Sequence, residues 1–417
     1  MKTNILILPI IGILSFLPFG REPYPIDGYE ESGIRRLKRL QLVVEGTIKD
    51  SKPVPGALLS IKDIKLNLRD GIKLSSIPPE DAKLQKSING LFAGLDPHYS
   101  ISVLDITAGK DLRYASRKEQ SQYQPGSVGK LCVLAAFFTE IQKIYPASFA
   151  KRQELMRNRK VLAGKWAMHD SHTVPFFEPE SNSFKKRTVV ESDVFSLYEW
   201  LDHMLSVSNN GAASVVWRET VLMRAFGKDY PTLSQEKADE YFKSTPKAAL
   251  SELGMNVVNE PLRKLGITEN EWRLGSFFTR GAGSYIPAKG GSTGTTAGVM
   301  KFLIHMEGGL IVDPESSLEM KRLMYLTDRR IRYGAAPALS TAALYFKSGS
   351  LYQCTKEEGF SCGKYMGNVN NYMNSVAIIE HTDGTKYIVV LMSNVLKKNS
   401  ASDHAALAAS IDRIVRQ

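Results

Sequence analysis

Ser127 and Lys130 stand three residues apart, just after Pro125-Gly126 and at the head of the apolar run Leu131-Cys-Val-Leu-Ala-Ala-Phe-Phe138. On a helix this spacing puts a hydroxyl and an amine on one face, about a turn apart and within hydrogen-bond reach. Backbone N–H groups at a helix start, together with the helix dipole, favour negative charge on a reacting oxygen. A lysine drawn into such a partly dry setting loses proton affinity and can serve as a base. The combination makes a nucleophile of a weak hydroxyl. Ser-x-x-Lys alone is a common coincidence, so other polar elements must converge on it. Two follow in chain order: Ser208-Asn209-Asn210, after the helical stretch Leu201 to Val207, and Lys347-Ser348-Gly349, at the end of a strand-like run.

Other chemistries find less. His169-Asp-Ser-His172 offers two metal-ligating side chains but neither i,i+4 spacing nor a third ligand, and reads as a loop with surface histidines. Gly290-Gly-Ser-Thr-Gly294 lacks the Gly-Lys-Ser/Thr of a phosphate cradle. With Thr295-Thr296 it reads as a loop and N-cap before a helix over Ala297 to Met306. None of the seven histidines has an obvious Ser/Asp partner pattern, so nothing requires a Ser-His-Asp hydrolase. No Cys-x-x-Cys pair exists. Neither a metal nor a cofactor is expected.

In order and separation the three polar elements resemble the Ser-x-x-Lys, Ser-Asp-Asn and Lys-Thr-Gly elements of the serine β-lactamase and penicillin-binding protein superfamily. The flanks are similar to class A members: Gln124-Pro-Gly-Ser-Val-Gly-Lys130 and Met204-Leu-Ser-Val-Ser-Asn-Asn-Gly-Ala-Ala213. The resemblance covers roughly residues 80 to 417. It implies that Ser127 attacks an amide carbonyl to form an acyl-enzyme, and that Lys130 accepts or relays the proton. Ser208 would pass a proton to the departing nitrogen, with Lys347 helping electrostatically. Asn210 would hydrogen-bond the substrate's side-chain amide, and Lys347 and Ser348, beside Gly349, would hold its carboxylate. The backbone N–H groups of Ser127 and Ser350 would form the oxyanion hole. Asn209 for Asp and Ser348 for Thr are mild departures, since both keep a short polar side chain.

One departure is larger. Class A β-lactamases carry, between the second and third elements, a loop Glu that activates the deacylating water. The corresponding stretch here, Gly275 to Gly294, reads GSFFTRGAGSYIPAKGGSTG and holds no carboxylate. Phe278 falls where the Glu belongs, and Glu269 and Glu271 lie upstream. General-base help is commonly worth about 10²–10⁴-fold. Acylation would survive its loss while hydrolysis slows, which is the behaviour of a penicillin-binding DD-peptidase or transpeptidase. A non-catalytic cell-wall binder or sensor on the same fold is a third expectation. The substrate class is a β-lactam or a peptidoglycan stem peptide.

The elements that must position these residues are legible in part. Tyr99 to Asp105 and Leu112 to Ser116 read as strands joined through Gly109, after a helix over about 80–94. Leu344 to Phe346, Ser375 to Glu380 and Tyr387 to Met392 read as strands at the other end, with Asp383-Gly384 as a hairpin turn before a last helix from about Ser402 to Val415. Strands at both ends and helices between predict an α+β, β-lactamase/transpeptidase-like fold, its antiparallel sheet built from the two chain ends. Residues 79–417 would form the catalytic domain, with insertions near 145–195 (aromatic-rich at Thr173 to Phe184) and 226–259. These would cover the cleft or lengthen surface helices.

Ahead of it, residues 21–78 form an extension without evident chemistry. Leu37, Leu40, Val43 and Val44 recur at helical spacing, Leu58 to Leu68 alternates like a strand, and Arg35, Arg36, Lys38 and Arg39 read as a solvated helix face. Residues 1–20 have the layout of a signal peptide, Lys2 preceding the apolar run Ile5 to Phe19. An exported, periplasmic or secreted protein is expected rather than one with an uncleaved anchor. Composition agrees with a soluble chain: 417 residues, 43% hydrophobic and 23% charged, which excludes disorder and coiled coil. The formal net charge of +11 suits association with an anionic cell envelope, and no nucleic-acid motif accompanies it. Cys354 and Cys362 flank a polar loop that a disulfide could close, while Cys132 reads as a buried helix residue.

Overall fold

The computed structural model describes residues 28–69, 74 and 76–417. The signal-peptide reading lies outside them. Five strands, β1 (Tyr99–Asp105), β2 (Arg113–Arg117), β3 (Ala343–Gln353), β4 (Asn370–Glu380) and β5 (Lys386–Asn394), form one antiparallel sheet in the order β2-β1-β5-β4-β3. Its two halves come from opposite ends of the chain and meet where Tyr99 faces Ser393 and Val103 faces Val389. Successive residues point to opposite faces, and both faces are covered. Val103, Leu344, Ala377 and Val389 pack into one core, whereas Leu104, Tyr345, Val376 and Val390 pack into another. The strands therefore read as continuous apolar runs rather than as alternation.

The helices that bear on the site are α1 (Arg35–Glu45), α2 (Ala82–Leu91), α3 (Lys130–Ile144), α4 (Leu197–Leu205), α5 (Asn210–Phe226), α6 (Lys247–Lys264), α7 (Thr296–Glu307), α8 (Pro314–Tyr325) and α9 (Ala401–Arg416). α2 and α9 cover the first face of the sheet, and the rest of the helical lobe covers the second. α3 is apolar all round, with Leu131 to Phe138 fully buried, because it runs through the middle of that lobe. Local chemistry sets the helix starts. Ser196 and Glu199 form a capping box at α4. Thr295 caps α7 as expected, its side chain accepting from Gly298 N.

Two expectations need correction. Leu58 to Leu68 is no strand: it follows a 3-10 turn at Pro55–Ala57, contains a second at Ile61–Asp63, and is otherwise neither helix nor strand. Its backbone is satisfied by side chains instead of a neighbouring strand. Leu59 N donates to Tyr325 Oη at 2.9 Å, Asn67 N donates to Glu307 Oε2 at 2.6 Å, and Lys65 O accepts from Lys321 Nζ at 2.6 Å. The alternation is real only in burial, with Ile64, Leu66 and Leu68 inside. Nor is the basic cluster of α1 a solvated face. Arg36 is 5% exposed, donates to both oxygens of buried Asp202 at 2.5 and 2.6 Å, and also reaches Leu326 O. Of the first insertion, for which the sequence leaves two readings open, most of Thr173 to Phe184 belongs to a hairpin of Val174–Glu178 with Ser183–Arg187, and Thr173 lines the cleft. The hairpin leans on α1 through Glu178 with Arg35 and Phe184 with Arg39.

The second insertion holds a helix, Gln235–Ser244, whose Phe242 packs on Trp166 at 4.7 Å between centroids. Cys354 and Cys362 are joined in a disulfide that closes the loop between β3 and β4, and Cys132 is free and buried in α3.

Candidate active site

Ser127 sits on a 3-10 turn, Gly126–Gly129, that runs directly into α3, so the hydroxyl precedes the α-helix rather than opening it. The turn lies flat against β3, and two glycines permit this. Gly126 has φ +52, and a Cβ there would come 2.9 Å from Ser350 N. A Cβ on Gly349 would come 2.3 Å from Pro125 O and 3.0 Å from Ser127 N. Asn374, opposite Gly349 in the sheet, fastens the turn by donating to Gln124 O and Pro125 O at 3.0 and 3.1 Å. The turn that carries Ser127 thus lies directly against the strand that carries Ser350.

Lys130 is fully buried, and its Nζ makes four contacts: Ser127 Oγ at 3.0 Å, Ser208 O at 2.5 Å, Ser208 Oγ at 3.3 Å and Asn210 Oδ1 at 2.8 Å. Burial pulls its pKa down to about 7, and the charge of Asp170 only partly opposes this. In its neutral form the amine has two N–H bonds to give to these two carbonyl oxygens, which can only accept. Its lone pair is then left for the Ser127 hydroxyl, which is the arrangement of a base. Phe278 stands beside it, ring centroid 5.2 Å from Nζ.

Ser208 has φ +61, a conformation rare outside glycine, which stations the hydroxyl between two amines. Its Oγ is 2.8 Å from Lys347 Nζ on the side away from Lys130. Burial, then the charges of Lys130, Arg332 and Arg329, push the Lys347 pKa well below the ordinary lysine value. Asn209 braces the loop: its Oδ1 caps α5 by accepting from Ala212 N at 2.6 Å, and its Nδ2 donates to His172 O at 2.9 Å.

All eight residues singled out from the sequence, Ser127, Lys130, Ser208, Asn210, Lys347, Ser348, Gly349 and Ser350, meet at one cleft of about 760 Å³ and an adjoining recess of about 50 Å³. Among the described residues no Asp or Glu lines either. Glu271 is engaged elsewhere, with Lys301 Nζ and Thr268 N at 2.6 and 2.8 Å. No group of three or more metal-ligating side chains exists among the described residues. A hydroxyl, a low-pKa amine and a second hydroxyl between amines are groups that can together carry acyl transfer.

Several cleft residues escaped the sequence reading. Arg332 (φ +54) donates to Gly349 O at 2.6 Å and to Ser350 Oγ at 3.0 Å, beneath the ring of Tyr365. With Arg329 and Lys347 it makes one wall of the recess cationic. The run Asp328-Arg-Arg-Ile-Arg332 shortly before β3 was the available signal. The reading of His169 to His172 as surface loop also fails in part. Asp170 is largely buried, accepts from Asn210 N at 2.6 Å and holds His172 on the cleft wall.

The Beta-lactamase enzyme family matches residues 248–417. That stretch contains Lys347 to Ser350 but neither Ser127 and Lys130 nor Ser208 to Asn210. No curated protein matches the chain. Among solved structures, the TLA-3 extended-spectrum β-lactamase is 14% identical, with 80% of this chain and 98% of that one covered and a TM-score of 0.54. A class A β-lactamase representative from Bacteroides cellulosilyticus DSM 14838 is 15% identical, with coverage of 80% and 95% and a TM-score of 0.51. A PBP-A variant, held as an acyl-enzyme with penicillin G, is 13% identical, with coverage of 81% and 97% and a TM-score of 0.50. At such identities the likeness speaks for the fold alone, which is β-lactamase/transpeptidase-like.

Proposed function

We propose that this chain is a serine acyl-transfer hydrolase that forms an acyl-enzyme on Ser127 with β-lactams or related D-Ala-D-Ala-type amides. The observation that carries the reading is the 3.0 Å contact between Ser127 Oγ and a buried lysine whose pKa is drawn down to about 7. Ser127 Oγ attacks the amide carbonyl as its proton passes to Lys130. Negative charge gathers on the carbonyl oxygen, facing the N–H groups of Ser127 and Ser350. The C–N bond then breaks as Ser208 protonates the leaving nitrogen and recovers a proton from Lys130. Asn210 orients the substrate's amide, and Ser348, Lys347 and Arg332 take its carboxylate.

Mass spectrometry after penicillin exposure tests this. Wild type gains one adduct on Ser127 and Ser127→Ala gains none; absence of any adduct with β-lactams or D-Ala-D-Ala mimics overturns the reading.

With Phe278 beside Lys130 and no carboxylate in Gly275 to Gly294, release of the acyl group depends on some other base. If none serves, the chain is a slow-releasing DD-peptidase or transpeptidase. The net charge of +11 favours a second reading, a non-catalytic binder of anionic cell-wall polymer on the same fold. Export belongs to the proposal as well. Among the described residues no helix is long and apolar enough to cross a membrane.

A further inference from the structure

The acyl-enzyme reading leaves the hydrolytic base without an owner, and one side chain on the cleft wall has the chemistry for it. His172 lines both the main cleft, with Ser127 and Asn210, and the small recess, with Ser127, Ser208 and Lys347. The recess, at about 50 Å³, is roomy enough for a water, which needs about 10–15 Å³ and two or more polar partners. Hydroxyls, an amine and an imidazole are all present there.

The imidazole is held in one orientation. His172 Nδ1 lies 2.6 Å from Asp170 Oδ1. Asp170 is itself pinned: its Oδ2 accepts from Asn210 N at 2.6 Å and Gly211 N at 3.3 Å, at the start of α5. Burial alone would raise its pKa, but the hydrogen bonds it accepts from the ring and backbone of His172 oppose that, and the carboxyl stays below its ordinary value. An ionised carboxylate only accepts, so Nδ1 carries a hydrogen, and in the tautomer with that single hydrogen Nε2 is the acceptor. Asn209 Nδ2 fixes the backbone of His172 through its carbonyl.

We infer that His172, oriented by Asp170, is the base that activates water against the Ser127 acyl-enzyme, the part played in class A β-lactamases by the loop Glu that Phe278 replaces here. The inference rests on the acyl-enzyme reading above. Nε2 takes one proton from water while the water oxygen bonds to the ester carbonyl carbon. Charge collects on the carbonyl oxygen before the N–H groups of Ser127 and Ser350. The C–Oγ bond breaks, the carbonyl re-forms, and the proton on His172 returns to Ser127 Oγ. One water is consumed, one carboxylic acid leaves, and both side chains are restored. Asp170 is a positioning residue.

The test follows the penicillin G adduct of the full chain over time by mass spectrometry, in wild type, His172→Gln and His172→Ala. Expected is an adduct in all three that decays in wild type, decays about 10²-fold or more slowly in His172→Gln, and decays faster in His172→Ala when imidazole is added. Equal decay in wild type and His172→Gln overturns the inference while leaving capture by Ser127 intact. So does an adduct that never leaves wild type, or an absence of imidazole rescue. If wild type forms no adduct, the acyl-enzyme reading fails and takes this inference with it.

Discussion

Under the proposed mechanism Lys130 acts only as a free amine. Below its pKa of about 7 the third N–H occupies the direction of Ser127 Oγ and no lone pair is available. Because burial depresses rather than raises that pKa, adduct formation should rise with pH through about 7 and then level off; stopped-flow acylation across the pH range measures it. A profile flat through neutrality would remove Lys130 as the base. Arg332 makes a second residue-scale prediction. Its two hydrogen bonds organise the backbone around Gly349 and Ser350 and put a fixed cation at the carboxylate end. Arg332→Ala should weaken capture of carboxylate-bearing substrates by about 10–100-fold more than capture of a neutral ester analogue, from the ~1.5–3 kcal/mol of a charged hydrogen bond. Competition kinetics with the two probes separate these outcomes. Ser127, Lys130, Ser208 and Lys347 were legible because each sits in a short run with a chemical reason for its spacing. Asp170, His172, Arg332 and Asn374 were not, since each acts across a gap in sequence that only the folded chain closes.

At the scale of elements, the site depends on one strand and one turn touching without side chains between them. Gly349→Ala would drive a methyl into Pro125 O and separate Ser350 from Ser127. Since about 1 Å of misplacement is worth 10²-fold, capture should fall by about that much while the sheet survives, as circular dichroism and adduct yield together would report. The extension ahead of the catalytic residues is also tied in. Removing the guanidinium by Arg36→Ala strands Asp202 in the core, and thermal or denaturant unfolding should show a loss of about 3–5 kcal/mol. The same extension shows why pattern alone misleads. Leu58 to Leu68 has the alternation of a strand, but its hydrogen bonds go to Tyr325, Glu307 and Lys321, residues that no local window contains. β1, β4 and β5 were legible because their apolar runs are bounded by turns with a chemistry of their own, Gly109 (φ +79) and Asp383-Gly384 (Gly384 φ +93).

Over the whole molecule the excess of 54 Lys and Arg over 43 Asp and Glu gives a field that extends beyond any pocket. Binding to anionic envelope polymer, measured by sedimentation, should weaken steeply as salt shortens the Debye length from about 10 Å at 0.1 M to about 3 Å at 1 M. It should be indifferent to Ser127→Ala, because the charge is unchanged. Salt-independent binding would point to specific contacts instead.

The sheet that carries Ser350 pairs Tyr99 with Ser393, so its first strand must wait for nearly three hundred residues before it finds its neighbour. During synthesis Ser127 and Lys130 emerge long before the backbone that would face them. A nascent chain halted short of β5 would hold its reactive pair unassembled, and so long a delay between the two halves is the kind of topology that folds slowly. On the proposed mechanism, turnover must wait until β5 has arrived to join the two halves of the sheet.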